Sequence, residues 1–113
     1  MYLIHFKSRD LDVLHRQGQF WHIFFATGHV VIAQDEKDTW TIHTPASIDA
    51  KASDMDPHKE IKKALGLETS GLVVNVDEIL VTSMWRPNIY LADRYVSSGG
   101  RVFISGDAAH QNM

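Results

Sequence analysis

Three β-prone runs lie between residues 20 and 44, at 20–27, 30–34 and Thr39–Thr44, and the segments joining them are only a few residues long. A parallel pair needs a crossover of about a dozen residues or more, so runs this close can only become antiparallel neighbours. Gly28-His29 supplies the first turn and Asp35-Glu36-Lys37-Asp38 the second, which predicts a meander sheet. Residues 20–27 are rich in aromatic side chains at both parities, the pattern of a central strand covered on two sides.

The remaining segments extend this into an α+β chain with an antiparallel or mixed sheet of at least four strands and two short helices. Tyr2–Lys7 reads as a strand; Ser8 can then cap a helix carrying Asp10 and Asp12 in its first turn, Leu11 and Leu14 on one face and Gly18 as its stop. After a polar loop at 45–55, Asp56-Pro57 is an N-cap followed by proline at the first helical position. Ile61, Ala64 and Leu65 form an apolar stripe, and Gly66 ends a helix over residues 57–65. Residues 72–84 form a long β-branched run with Asp77-Glu78 as an interruption, stopped by Trp85-Arg86-Pro87 because proline cannot donate to a ladder. Residues 89–96, the turn Ser97-Ser98-Gly99-Gly100 and a final strand at 101–105 complete the reading.

Composition excludes several classes. The 113 residues fit one domain, and the net charge of -3 with scattered Lys and Arg gives no basic patch for nucleic acid. Zero cysteines remove disulfides, zinc-thiolate sites and thiol nucleophiles. The seven histidines fall in none of the usual metal-ligand spacings, so no metal site is expected. Asp49 to Asp54 with Glu60 has the outline of a calcium loop but places Lys51 at a ligand position and Asp54 where the turn needs glycine. No leader is expected at the start, and no segment approaches the ~18 apolar residues of a membrane span, so a cytoplasmic protein is expected.

The chemistry-bearing stretch is Arg101 to Gln111. Val102, Phe103 and Ile104 run into Gly106-Asp107 and then into small residues that can open a helix. A carboxylate at such a corner accepts hydrogen bonds, from sugar or ribityl hydroxyls in one reading and from its own helix as an N-cap in the other. Phe20, Trp21, Phe24, Phe25 and Trp40 are read first as core and second as the lining of an aromatic pocket. Arg94 is read as a surface ion-pairing residue before a ligand contact, and His110 has no nucleophile motif beside it to activate.

Gly106-Asp107-Ala108-Ala109-His110 resembles the Gly-Asp motif of the flavoprotein aromatic monooxygenases, the p-hydroxybenzoate hydroxylase and phenol 2-monooxygenase group. Phe20 to Phe25, Gln34-Asp35, Asp38-Thr39-Trp40, Trp85-Arg86-Pro87 and Ala92-Asp93-Arg94-Tyr95 look like the middle, substrate-binding part of fungal-type members, so the resemblance covers nearly the whole chain. It implies the middle part of a p-hydroxybenzoate hydroxylase-like fold, with residues 1–96 as substrate-binding sheet and 97–113 as the start of the FAD-binding Gly-Asp segment. It further implies that Asp107 holds the ribityl region of FAD, that Gly106 gives backbone access, and that Trp85 meets the substrate. No residue is assigned to catalysis.

The Gly-x-Gly-x-x-Gly loop that seats the FAD pyrophosphate is absent from this sequence, as are the family's internal Asp-Gly segment and the Pro-x-Gly-Gly-type loop that would follow the motif. The expectation is therefore a piece of an FAD-dependent monooxygenase that hydroxylates a small aromatic or similar substrate with NAD(P)H and O2. Such a piece, inactive alone, would bind FAD weakly or not at all. Two alternatives stand beside it: a non-catalytic binding domain that uses its exposed sheet, including as a homo-oligomer, and a nonfunctional remnant.

Overall fold

A computed structural model describes residues 1–112. Its main body is a five-stranded antiparallel sheet built from β1 (Tyr2–Lys7), β2 (His22–Phe24), β3 (Val30–Ala33), β4 (Thr39–Thr44) and β5 (Glu78–Met84), in the order β2-β3-β4-β1-β5. The meander β2-β3-β4 forms as the short turns require, and β1 closes on β4 with Ile4 opposite Ile42 and Phe6 opposite Trp40. A register shift between His5 and Phe6 leaves one extra residue on β5.

Strand alternation divides the sheet into two faces. Tyr2, Ile4, Phe6, Val31, Trp40 and Ile42 point to one face and are fully shielded from solvent, where they pack with Leu11, Ile61 and Ala64. Burying each such side chain contributes about 1.5–3 kcal/mol, so this face carries the stability of the domain. Ile61 and Ala64 come from α2 (Pro57–Ala64), whose cap matches the sequence reading: Asp56 accepts from the His58 and Lys59 N–H groups and Gly66 leaves the helix at φ +65. Leu11 ends a 3-10 turn, Arg9–Leu11, that leads into α1 (Asp12–His15). A further short helix, α3 (Leu67–Ser70), was not expected from the sequence.

Ser8 does not cap this first helix. Its backbone is extended and its buried hydroxyl donates to the Asn75 carbonyl at 2.7 Å, tying the end of β1 to the approach of β5. The Trp40 indole N–H donates to the Ser8 carbonyl, and Arg9 and Asp77 pair at 2.8 Å beside it.

Beyond Trp85 the chain leaves the sheet. β6 (Ile89–Leu91) pairs with β7 (His110–Asn112) as a separate two-stranded ribbon, with an isolated bridge from Val96 to Phe103. All three residues of β6 are exposed, as are Tyr95, Val102 and Phe103. The Cα radius of gyration is 18.4 Å, against about 13 Å for a compact domain of this length.

Several expected elements differ. Residues 20–27 do not form a central strand: only His22–Phe24 pair, and they lie at the sheet edge with β3 alone as neighbour. The aromatic density there reflects two uses, since Phe20 and Ile23 pack on the core while His22 and Phe24 take the opposite face. Residues 72–84 are regular only over Glu78–Met84, and 89–96 only over Ile89–Leu91. The final strand expected at 101–105 is a single bridge, Val96 to Phe103, flanked by the Ser97 N–H on the Val102 carbonyl and the Ile104 N–H on the Tyr95 carbonyl, and Gly106-Asp107 opens one 3-10 turn in place of a helix.

Candidate functional site

Among the described residues, the helical elements reach the sheet on its core face, through Leu11, Ile61 and Ala64. Leu3 and His5 of β1, His22 and Phe24 of β2, Val30 and Ile32 of β3, Thr41 and His43 of β4, and Val81 and Ser83 of β5 share the opposite face by register. His5 Nδ1 and Thr41 Oγ1 lie 2.8 Å apart, and Gln34 also donates to that hydroxyl. At one end the Met1 ammonium donates to the Trp85 carbonyl at 2.9 Å and the Trp85 N–H donates to the Met1 carbonyl at 3.0 Å. These two bonds extend the β1–β5 pairing by one step and set Trp85 on that opposite face beyond Ser83.

Trp85 forms one wall of an apolar concavity of about 420 Å³ lined also by Met1, His22, Phe24, Val30, Ile32, His43 and Pro87. The volume lies within the usual range for small-molecule pockets, and apolar walls with a few polar groups are their usual composition. The Trp85 ring meets His43 edge to face at 5.4 Å, and His22 stacks on Phe24 at 5.6 Å. Burial holds the His43 imidazole below its ordinary value, with smaller contributions from the charge of His22 and the Met1 ammonium. His43 is therefore neutral at neutral pH, able to donate one hydrogen bond and accept another. A flat aromatic molecule fits such walls by stacking on or against rings, with the imidazoles as polar partners. Among the described residues, no three His, Asp or Glu side chains converge as metal ligands.

On its other side Trp85 borders a second concavity, of about 650 Å³, with Ala46, Ile48, Met84 and Arg86 in its lining; the Arg86 guanidinium donates to the Ile48 carbonyl across it.

Gly106 and Asp107 sit elsewhere. Gly106 adopts φ +57, a left-handed conformation that favours glycine, and begins the 3-10 turn Gly106–Ala108 that feeds β7. The turn is closed by the Ala109 N–H on the Gly106 carbonyl at 2.8 Å and pinned by the Ala92 N–H on the Ala109 carbonyl. Ser105, in extended conformation, holds the cap position, so Asp107 is not a helix cap. Its carboxylate is exposed and accepts no hydrogen bond from the described residues. Neither residue lines the concavity at Trp85.

Sequence reasoning thus singled out Trp85 and passed over His43, His22 and Val30. The available signal was parity: these residues alternate with Ile42, Ile23 and Val31, which face the core. Of the aromatic stripe, Trp40 and Phe20 serve the core, Phe24 lines the concavity, and Trp21 is 71% exposed.

No family model matches the chain. The FAD-dependent monooxygenase opdD of Penicillium oxalicum is 44% identical over 120 residues, covering 98% of this chain and 23% of its own length. The FAD-dependent monooxygenase apdD of Emericella nidulans is 40% identical, covering 98% of this chain and 19% of its own. Among solved structures, native and K252c-bound RebC-10x shares the fold with a TM-score of 0.64 at 22% identity, over 97% of this chain and 21% of that one. K252c-soaked RebC gives 0.63 at 23% identity, over 97% of this chain and 19% of that one. The chain spans about a fifth of the length of the curated relatives it matches. Over nearly its whole length the chain is therefore similar to a stretch of about a fifth of an FAD-dependent monooxygenase.

Proposed function

We propose that this stretch supplies the substrate-covering sheet and one flavin-side turn of an enzyme that hydroxylates a small aromatic or similar organic molecule with NAD(P)H and O2. The observation that carries the reading is the near-complete match of the chain to FAD-dependent monooxygenases. The apolar concavity at Trp85 supports it by offering a ring-sized pocket on the face of the sheet opposite the core. Residues 1–96 would form the substrate-binding part and 97–113 the start of the flavin-binding part, in a cytoplasmic setting.

The residues present fit part of FAD. Asp107 offers an exposed carboxylate with no hydrogen-bond partner among the described residues, suited to ribityl hydroxyls, and Gly106 leaves the backbone beside it bare. The sequence has no Gly-x-Gly-x-x-Gly loop for the pyrophosphate, so this chain alone would hold FAD weakly or not at all. FAD, when bound, supplies the oxygen activation. The chain's own contribution is to place Trp85 against the substrate ring, to keep His43 neutral as a hydrogen-bonding partner, and to exclude water with Phe24, Val30 and Pro87.

A chimera tests this reading: the matching stretch of a full-length FAD-dependent monooxygenase is replaced by this chain, and flavin content, NAD(P)H oxidation and product are measured. Retained hydroxylation supports it, with Trp85→Ala raising KM and Asp107→Ala raising the FAD Kd roughly ten- to a hundredfold, the loss of one hydrogen bond to a charged acceptor. A folded, flavin-loaded chimera that oxidises NAD(P)H but yields no hydroxylated product overturns it.

A further inference from the structure

His29 stands in the turn between β2 and β3 and is only 5% exposed. It has the parity of Val31, which puts it on the core side of the sheet, and the pairing of Val30 with His43 brings it level with the buried Thr44. Its Nδ1 lies 2.7 Å from the Thr27 hydroxyl oxygen. Its Nε2 is closed to solvent and has no hydrogen-bond partner among the described residues. A neutral ring leaves that one position unsatisfied, whereas a protonated ring encloses a full charge there, which is far more costly.

The surroundings do not offset that cost. The turn and β4 face the ring with Thr27 and Thr44, neither of which titrates at these pH values, and α2 brings the charges of Lys63 and Glu60. Burial and then Lys63 hold the imidazole below its ordinary value, with Glu60 a smaller opposing influence; the Glu60 carboxylate is already engaged by the Thr44 hydroxyl at 3.3 Å. The backbone around the ring is lightly held. β2 has three residues, pairs with β3 alone at the sheet edge, and leaves Phe24 76% exposed. The turn is closed by the Phe25 N–H on the His29 carbonyl and the Gly28 N–H on the Phe25 carbonyl, each at 2.9 Å, and it seats on the loop after β4, where a side-chain carbon at Gly28 would come within 3.1 Å of Pro45. Opening this hairpin breaks far fewer contacts than opening the core beneath β1 and β4, so it is the least costly route by which water can reach His29.

From an enclosed imidazole with one unpartnered nitrogen, covered by an edge hairpin, we propose that His29 is an acid-sensitive latch: neutral, it keeps the turn over residues 25–29 seated on the core, and protonated, it releases that turn to solvent. The direction follows from linkage. The seated ring takes up a proton less readily than the released one, so falling pH favours the released form from about 6.5 downward. Phe24 and Val30 flank the turn and line the concavity at Trp85, so release removes part of that wall and couples the shape of the concavity to pH. The latch requires no flavin and acts in the chain alone.

Amide hydrogen exchange of the whole chain at pH 7 and pH 5, expressed as protection factors to remove the intrinsic pH dependence of exchange, tests this together with an imidazole nitrogen titration of His29. The released form gains at most about tenfold in population for each pH unit below 6.5, so protection of the Phe25 and Gly28 amides should fall roughly threefold to thirtyfold further than that of β1 and β4. His29→Gln, whose amide can still bond Thr27 and carries no titrating proton, should hold that protection constant to within about twofold, while His43→Gln should leave the fall in place. A His29 midpoint at or above 6.5, as an ion pair with Glu60 would give, overturns the latch. So does a fall in protection that β1 and β4 share equally, one that persists in His29→Gln, or one that disappears in His43→Gln. If His29→Gln does not fold, the midpoint of the native ring and the location of the lost protection still decide the matter.

Discussion

Trp40→Phe isolates one bond that ties the sheet to its first turn. The Trp40 side chain is fully shielded from solvent, packs against His15 at 4.8 Å and donates its indole N–H to the Ser8 carbonyl at 3.1 Å. Ser8 is itself fully buried, with its hydroxyl on the Asn75 carbonyl and its N–H on the Asp38 carbonyl. Phenylalanine keeps most of the ring burial but removes the indole donor from the Ser8 carbonyl. The lost hydrogen bond costs about 0.5–1.5 kcal/mol, and the smaller ring adds roughly 1 kcal/mol for the space it leaves. The sum, about 1.5–2.5 kcal/mol, is a sizeable part of the 5–15 kcal/mol that a small domain has in total. At about 4 °C per kcal/mol for a chain of this size, the melting midpoint should fall by roughly 6–10 °C. Urea titration followed by circular dichroism measures the loss directly. Trp21→Phe, at an exposed position, serves as the control and should change stability by less than about 0.5 kcal/mol. A Trp40→Phe variant that melts within about 2 °C of the parent with an unchanged urea slope would refute the claim that this buried carbonyl depends on the indole.

Other expectations follow from single features. Asp56→Ala removes the acceptor for two backbone N–H groups at the start of α2 and should cost about 1 kcal/mol in the same urea titration, with Asp56→Asn costing much less. Because the folded pKa of His43 is depressed, the folded state binds fewer protons than the unfolded one as pH falls below about 6.5, so stability should decline on acidification through that range; an imidazole NMR titration of His43 with a midpoint at or above 6.5 would contradict this. The purified chain should show no flavin absorbance after gel filtration with FAD, and a yellow protein with stoichiometric FAD would contradict that. Amides of β6 and β7 should exchange with solvent deuterium orders of magnitude faster than those of β1 and β4, since a bare two-stranded ribbon is marginal in water.

What could be read from the sequence was what local chemistry decides. The start of α2 was legible because Asp56, Pro57 and Gly66 act within one turn of their own positions, and the meander was legible because its connections exclude anything else. Ser8 was misread for the complementary reason: its partner, Asn75, is 67 residues away, and no local pattern marks it. Residues 20–27 were placed in the middle of the sheet because aromatic density at both parities looks like two-sided burial, while edge or centre is decided by which strands pair beyond them. Trp85 was singled out from the resemblance, but the concavity around it was not, since it exists only once Met1 pairs with Trp85 and brings β1, β4 and β5 into register. Gly106 and Asp107 stand in the motif that carries the resemblance; their setting, a 3-10 turn in place of a strand-to-helix corner, depends on the pairing of β7 with β6.

The two parts of the proposed site differ in what holds them in shape, and that difference has a functional consequence. His43, Val30 and Trp85 are borne by a sheet whose other face is a packed core, so their geometry is fixed by the chain itself. Asp107 is borne by a ribbon of three residue pairs in which Ile89, Tyr90 and Leu91 are all more than 60% exposed, with Phe103 at 74% nearby. Apolar burial of roughly 25 cal/mol per Å² is the main force available to hold such a ribbon, and the side chains of β6 leave it largely unspent. The orientation of the Asp107 carboxylate must therefore depend on whatever packs against Ile89, Leu91 and Phe103. Under the flavin reading, covering that ribbon and ordering the flavin-side carboxylate become one event, so replacing Leu91 by Ser in a full-length chimera should weaken FAD binding although Leu91 is not assigned to the cofactor, while leaving the concavity at Trp85 intact. A Leu91→Ser chimera with unaltered FAD affinity would mean that the turn at Gly106 holds its shape without the ribbon, and the dependence argued from these exposures would be wrong.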